Sequence, residues 1–268
     1  MSSSQVKEEL QFAVESGNLT QLQSLQRFGT SLDEIAKQAA RQKQPRVLEW
    51  CYTQGWLPAP KSFNDAFFIA VTTGASPAIF QVLVDHGWDL NAQETEYFGD
   101  ALASAVIHGY YDLAKWLLEH GHRATPLDGI HAPCAITDTV YGQTASIQML
   151  KLLLDHGTDV KDTGVGIAAA EVGNLEGLRL LLDYGVDKEE RDMSWYPFDD
   201  DVDEPSQSQG TALYRACRQG RVECAELLLD RAADAQVRDD GGKSCIGIAR
   251  ERGHRDILNL LESRGVTE

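Results

Sequence analysis

Short apolar blocks closed by glycine run along this chain of 268 residues. Two examples show the pattern. Ala105-Val106-Ile107-His108-Gly109 is followed by Trp116-Leu117-Leu118-Glu119-His120-Gly121. Ala169-Ala170-Glu171-Val172-Gly173 is followed by Leu180-Leu181-Leu182-Asp183-Tyr184-Gly185. Each block predicts one short amphipathic helix of roughly 8–10 residues, too small to be stable by itself. Paired helices of this kind bury their apolar faces only by stacking on further pairs.

The register of small residues supports the pairing. Glycines stand mid-unit at Gly17, Gly74, Gly109, Gly173, Gly220 and Gly253. Four residues before each is an alanine: Ala13, Ala70, Ala105, Ala169, Ala216 and Ala249. Twelve or thirteen residues after them come Gly29, Gly87, Gly121, Gly185, Ala232 and Gly265. Gln44 with Gly55, and Ala145 with Gly157, mark two further degenerate units. An alanine at a helix crossing lets two backbones approach closely. The mid-unit glycine supplies the left-handed residue that ends the first helix. The pairs Leu117-Leu118, Leu153-Leu154, Leu181-Leu182 and Leu228-Leu229 are expected on the core face of the second helix.

This pattern resembles the ankyrin repeat, over nearly the whole chain from about Glu8 to Gly265. The family's unit ending is matched in Leu118-Glu119-His120-Gly121, Leu154-Asp155-His156-Gly157 and Val84-Asp85-His86-Gly87-Trp88-Asp89. Its helix-opening Thr-Pro-Leu-His survives only as traces, in Gly210-Thr211-Ala212-Leu213-Tyr214 and Lys243-Ser244-Cys245-Ile246. The chain looks like the divergent ankyrin-only proteins common in fungi. The resemblance implies an all-α solenoid of about eight helix-turn-helix repeats with finger loops, read as a single domain over residues 1–268. The unit ends fall 26, 32, 34, 36, 28, 47 and 33 residues apart. Against a family period near 33, the gap of 47 holds an insertion at about Lys188–Gln209. Residues 132–145 are the least regular stretch, with Pro133 at a helix start, where its missing N–H costs nothing.

Charge narrows the partners. The formal net charge is −17, and residues 210–268 are neutral with ten charges of each sign. Such a chain lacks the basic footprint of nucleic-acid binding and is repelled by anionic membranes. Five cysteines at wide spacing suggest neither a disulfide framework nor a CxxC site. The polar start and the absence of a long apolar run predict a soluble, cytoplasmic or nuclear protein.

Chemical motifs are weak. Asp199-Asp200-Asp201-Val202-Asp203 forms a DDxxD string like the magnesium motif of terpene cyclases, but it lies between Pro197 and Pro205 in a loop. As a calcium loop it has Glu204 where glycine is needed and Gly210 where glutamate is needed. Gly164-Val165-Gly166-Ile167-Ala168-Ala169 imitates a dinucleotide fingerprint but follows a helix rather than a strand. The histidines near helix ends suit the negative end of the helix dipole. No nucleophile carries a local catalytic signature, so no catalytic, cofactor or metal residues are expected.

Binding is expected on two surfaces that the resemblance implies: the finger loops and the open side of the first helices. The groove positions include Ser104, Ile107, His108, Glu171, Arg215 and Arg218. The two arginines read equally as anchors for a partner or as pairs for acids of the insertion. The loops contribute Trp88, Tyr97 and Phe98, and Trp195, Tyr196 and Phe198. From Asp187 to Gln209 there are nine acids and two bases, which suits a basic or amphipathic partner. Folding of the rings back onto the preceding repeat, or disorder, are the other readings. The expectation is a monomeric adaptor or scaffold that binds another protein. The alternative is an enzyme or small-molecule binder using the groove between repeats four and seven. Trp116 is expected in the core, and Trp50 and Tyr52 are expected to seal the second repeat.

Overall fold

A computed structural model describes residues 3–57, 69–70, 73–74, 76–91, 100–124, 135–141, 146–161, 163–191 and 210–267. These gather into two compact units, Met1–Ala132 and Pro133–Glu268. The described secondary structure is helical. In the first unit α1 (Ser3–Glu15) pairs with α2 (Leu19–Arg27), and α3 (Leu32–Arg41) with α4 (Pro45–Thr53). There α5 (Pro77–Asp85) follows the helical Ile69 and Ala70, and α6 (Ala101–Ile107) pairs with α7 (Tyr111–Glu119). The second unit pairs α8 (Ala135–Tyr141) with α9 (Ile147–Asp155), and α10 (Val165–Val172) with α11 (Leu175–Asp183). It continues with α12 (Ala212–Arg218) on α13 (Val222–Asp230) and α14 (Cys245–Arg252) on α15 (Arg255–Ser263).

Within each unit, first helices pack on first helices and second helices on second helices, giving two layers. The register alanines make the first layer tight: Ala13, Ala70, Ala105, Ala169, Ala216 and Ala249 are fully enclosed. The leucine pairs face the core unevenly. Leu117, Leu118, Leu153 and Leu154 are buried, whereas Leu182 and Leu229 beside buried Leu181 and Leu228 are half-buried. Helices this short depend on their caps. Ser31, Asp100, Thr211 and Ser244 each accept the amide three residues on, at 3.1, 2.8, 3.4 and 3.1 Å.

Two cross-repeat ladders tie neighbouring pairs together. At the turn between helices, the N-cap side chains of four second helices each donate to a carbonyl of the preceding repeat. Gln44 donates to Glu15 O at 3.2 Å, Asn174 to Val140 O at 3.4 Å, Arg221 to Glu171 O at 3.0 Å and His254 to Arg218 O at 3.0 Å. The mid-unit glycines adopt positive φ, and at Gly74, Gly173 and Gly220 a Cβ would also meet a side chain of the next repeat, whereas at Gly17 and Gly253 it would meet nothing within 4 Å. At Gly220 (φ +69) the distance to His254 Nδ1 would be 2.7 Å.

At the other end of the second helices, the C-cap residue reaches back to an acid of the preceding second helix. Arg231 meets Asp183 at 2.6 Å, Arg264 meets Asp230 at 2.6 Å, and Tyr184 donates to Asp155. In the first unit His86 Nε2 stands 3.1 Å from both Glu49 oxygens.

Several expectations shift. The degenerate second repeat keeps its left-handed turn at Lys43 (φ 57), and Gln44 serves as the ladder donor one residue later. Ala232 takes the closing left-handed position at φ 58. Trp116 is half-buried rather than core, because it stands at the outer edge and stacks on His120 at 4.0 Å. Trp50 is buried, and Tyr52 is half-buried, edge-on to buried Trp56 at 4.9 Å. Gly164 is left-handed (φ 66) and immediately precedes α10, so the glycine-rich string forms a turn between helices. Within the irregular 132–145 stretch, residues 135–141 form α8, while 132–134 and 142–145 lie outside the described residues.

Candidate functional site

The inner layer places the expected groove residues unequally. His108, at the C-cap of α6, is exposed, with Nδ1 on Ser104 O at 2.8 Å and its ring stacked on Tyr110 at 5.4 Å. Ile107 beside it is half-buried. Ser104, expected on the open face, is instead buried at 1% exposure. Arg215 and Arg218 are likewise buried, at 8% and 7%. The cause is the alanine-lined approach of neighbouring first helices, which covers positions that an isolated helix would leave open. Arg215 Nη1 lies 3.4 Å from Glu171 Oε1 on the preceding first helix, α10. Glu171 also accepts Gln219 Nε2 at 3.2 Å. Arg215 therefore pairs with an acid of its neighbouring repeat.

Alongside, Tyr214 donates to buried Asp239 at 2.6 Å; burial and that carboxylate push the phenol well above its usual range. Glu190 Oε1 accepts the Gly164 amide at 3.0 Å. These bonds bind the end of one loop to the next pair. Trp88, at the base of its finger, is half-buried with its ring 6.5 Å from Phe80. Tyr97, Phe98, Trp195, Tyr196 and Phe198, with the acidic run after them, lie outside the described residues.

Cys51, Cys217, Cys224 and Cys245 are buried free thiols. Burial pushes Cys51 up to about 12 and Cys224 up to about 11. A hydrogen bond with Cys245, then burial, raises Cys217 further. Thiols held neutral in this way are poor nucleophiles. Among the described residues no cluster of three His, Cys, Asp or Glu side chains is placed to hold a metal ion. No described helix is long and apolar enough to cross a membrane.

Sequence comparison matches two stretches of the chain to ankyrin-repeat families: residues 195–267 to "Ankyrin repeats (3 copies)" and 76–118 to "Ankyrin repeats (many copies)". The described residues of both stretches form the paired helices above. The crystal structure of the human ASB11 ankyrin repeat domain superposes with a TM-score of 0.61, covering 84% of this chain and 96% of that one, at 21% identity. This is an ankyrin-repeat protein. Its all-α repeat architecture agrees with the expectation from the glycine and alanine register. Curated relatives share only short segments with it. A potassium channel, AKT1, from Oryza sativa is 41% identical over 64 residues, 24% of this chain and 7% of the channel. The putative E3 ubiquitin-protein ligase XBAT34 of Arabidopsis thaliana is 35% identical over 54 residues, 20% of this chain and 14% of the ligase. Ankyrin repeats are in general protein-interaction modules, typically without catalysis.

Sequence reasoning missed both ladders. A signal existed: Asp155-His156, Asp183-Tyr184 and Asp230-Arg231 repeat an acid followed by a cap residue. Its meaning needs the partner repeat, which stands 29 to 48 residues away.

Proposed function

We propose that this ankyrin-repeat protein is an adaptor or scaffold that holds a partner protein through its finger loops and the open side of its first helices. What carries the reading is a contrast within the chain. The helix pairs are fastened by a repeated set of cross-repeat bonds, while the spacing between unit ends varies from 26 to 47 residues. A regular scaffold with variation concentrated in its loops is the arrangement used for recognition surfaces. His108, Ile107 and Trp88 remain accessible on that scaffold, and Glu171 is half-buried. The net charge of −17 favours a partner with a basic or amphipathic segment over nucleic acid or an anionic membrane. Buried free thiols fit a reducing, cytoplasmic or nuclear setting, and a monomer suffices for such a role.

The test is affinity capture from lysate of the source cell, with mass-spectrometric readout. Wild type is compared with a Trp195→Ala, Tyr196→Ala, Phe198→Ala triple variant and with His108→Ala. A partner lost with either variant supports the adaptor reading and locates the contact. Capture of no specific protein would overturn it and turn attention to a small ligand in the groove.

A further inference from the structure

We propose that the Glu171–Arg215 pair, in the inner layer of the second unit, is a docking site for the carboxamide of an asparagine or glutamine side chain presented by another protein. The proposal rests on the protein-binding reading above and names the chemistry that the partner offers. Glu171 stands near the end of α10, and Arg215 on α12 faces it. The two side chains are 13% and 10% exposed. They touch through one long contact, Arg215 Nη1 to Glu171 Oε1 at 3.4 Å. A guanidinium and a carboxylate in full register share two parallel bonds. Here the other half of each group is left over. Among the described residues neither Arg215 Nε nor Glu171 Oε2 has a hydrogen-bond partner, although both atoms are buried.

Buried polar atoms normally find partners, and leaving one unmet is costly. Four other described residues, Gln42, Trp56, His122 and Glu189, each leave a single such atom. At Glu171 and Arg215 a donor and an acceptor of the same ion pair stay open together. The acid is held where it stands. Arg221 Nε donates to the Glu171 carbonyl at 3.0 Å, and Gln219 Nε2 donates to Glu171 Oε1 at 3.2 Å.

An open N–H and an open carboxylate oxygen ask for a group that accepts and donates at once. A carboxylate would satisfy Arg215 but meet Glu171. An ammonium would satisfy Glu171 but meet Arg215 and, one turn further along α12, the charge of Arg218. A carboxamide is neutral and planar: its oxygen accepts from Arg215 Nε, and its amino group donates to Glu171 Oε2. The chain itself shows that this carboxylate takes such a group, since Gln219 already presents its own carboxamide to the other oxygen. Gln219 is exposed and Glu171 half-buried, so the partner's side chain enters beside Gln219.

The experiment titrates the full chain with three capped tripeptides, acetyl-Ala-Gln-Ala-amide, acetyl-Ala-Glu-Ala-amide and acetyl-Ala-Lys-Ala-amide. Their backbones are the same, so differences among them report the central side chain. The readout is the NMR signal of the Arg215 Nε–H group, assigned by its loss in Arg215→Lys. The glutamine peptide is expected to shift that signal saturably and to bind about tenfold tighter than the other two, the worth of two neutral hydrogen bonds. Arg215→Lys keeps a positive charge opposite Glu171 but removes the Nε–H, and is expected to abolish the preference for glutamine. Glu176→Gln, on the outer helix α11, is expected to leave the preference unchanged. Thermal melting confirms that each variant is folded, and the ranking of the three peptides on the wild type needs no variant. Equal binding of the three peptides would overturn the proposal. So would a glutamine preference that survives Arg215→Lys. An Arg215 Nε–H signal unmoved by the glutamine peptide would mean that an ordered water alone fills the position, and would overturn it as well. A partner captured from lysate equally by wild type and Arg215→Lys would sink this site alone and leave the adaptor reading standing.

Discussion

Substituting two glycines in identical conformations separates what the backbone demands from what the neighbouring repeat demands. Gly220 and Gly253 both occupy the mid-unit turn, at φ +69 and +74. A Cβ at Gly253 meets nothing within 4 Å. At Gly220 it lands 2.7 Å from His254 Nδ1 and 2.9 Å from His254 Cε1. Alanine in the left-handed region costs about 1–2 kcal/mol. Roughly 0.4–1 kcal/mol returns through the stiffer unfolded chain. Gly253→Ala should therefore cost about 1 kcal/mol. Gly220→Ala carries that cost and also displaces the imidazole. The displaced ring gives up its 3.0 Å bond to Arg218 O, worth about 0.5–1.5 kcal/mol, with a further ~1 kcal/mol of overlap. The total should reach about 2.5–3.5 kcal/mol. Urea titrations of both variants, and of Gly220→Ala in a His254→Ala background, complete the comparison. With the ring gone, the Gly220→Ala cost should fall to about that of Gly253→Ala. Equal losses at the two glycines, or a Gly220→Ala cost indifferent to His254, would refute the idea that the turn glycine serves the inter-repeat ladder.

Further outcomes follow from the same structure. Ala232→Gly should raise stability by up to about 1 kcal/mol, because Ala232 sits at φ 58; thermal melting reads this directly. Leu181 and Leu22 are both fully enclosed, so burial alone does not separate them. Leu181→Ala, inside the array, should nonetheless cost several times more in denaturant titration than Leu22→Ala in the first repeat, since each terminal unit has one neighbour fewer. Tyr184 and then Lys151 hold the Asp155 carboxyl below its usual range. Its stabilising contribution is thus complete above the ordinary carboxylate pKa, near 4, and fades as pH falls through the lowered value. Tyr184→Phe should flatten that part of the acid limb of a stability–pH curve, and an unchanged limb would count against the rung.

Much of the architecture is legible in the sequence because glycine and alanine do jobs that few other residues can. Six alanines mark close helix crossings, and each is enclosed. The second repeat was harder to place: Lys43 carries the left-handed turn, and lysine gives no hint of positive φ. The ladders stayed hidden because each rung joins unlike residues, Gln44, Asn174, Arg221 and His254, whose only shared property is a donor able to reach one carbonyl. Arg215 shows the limit at the candidate site. Helical register assigns it to the open side, yet whether a long side chain stays open depends on the acid facing it, and Glu171 lies 44 positions earlier. The half-exposed edge of Trp116 was missed for the same reason: helical spacing gives the face, whereas exposure depends on how far the next repeat extends.

The central claim, that this ankyrin-repeat protein works by holding another protein, is tested most directly by sedimentation of the tagged chain at its endogenous level in its own lysate. The account predicts a fraction travelling well above single-chain mass, reduced by the Trp195→Ala, Tyr196→Ala, Phe198→Ala variant or by high salt. A chain that travels alone at single-chain mass under all conditions would contradict it.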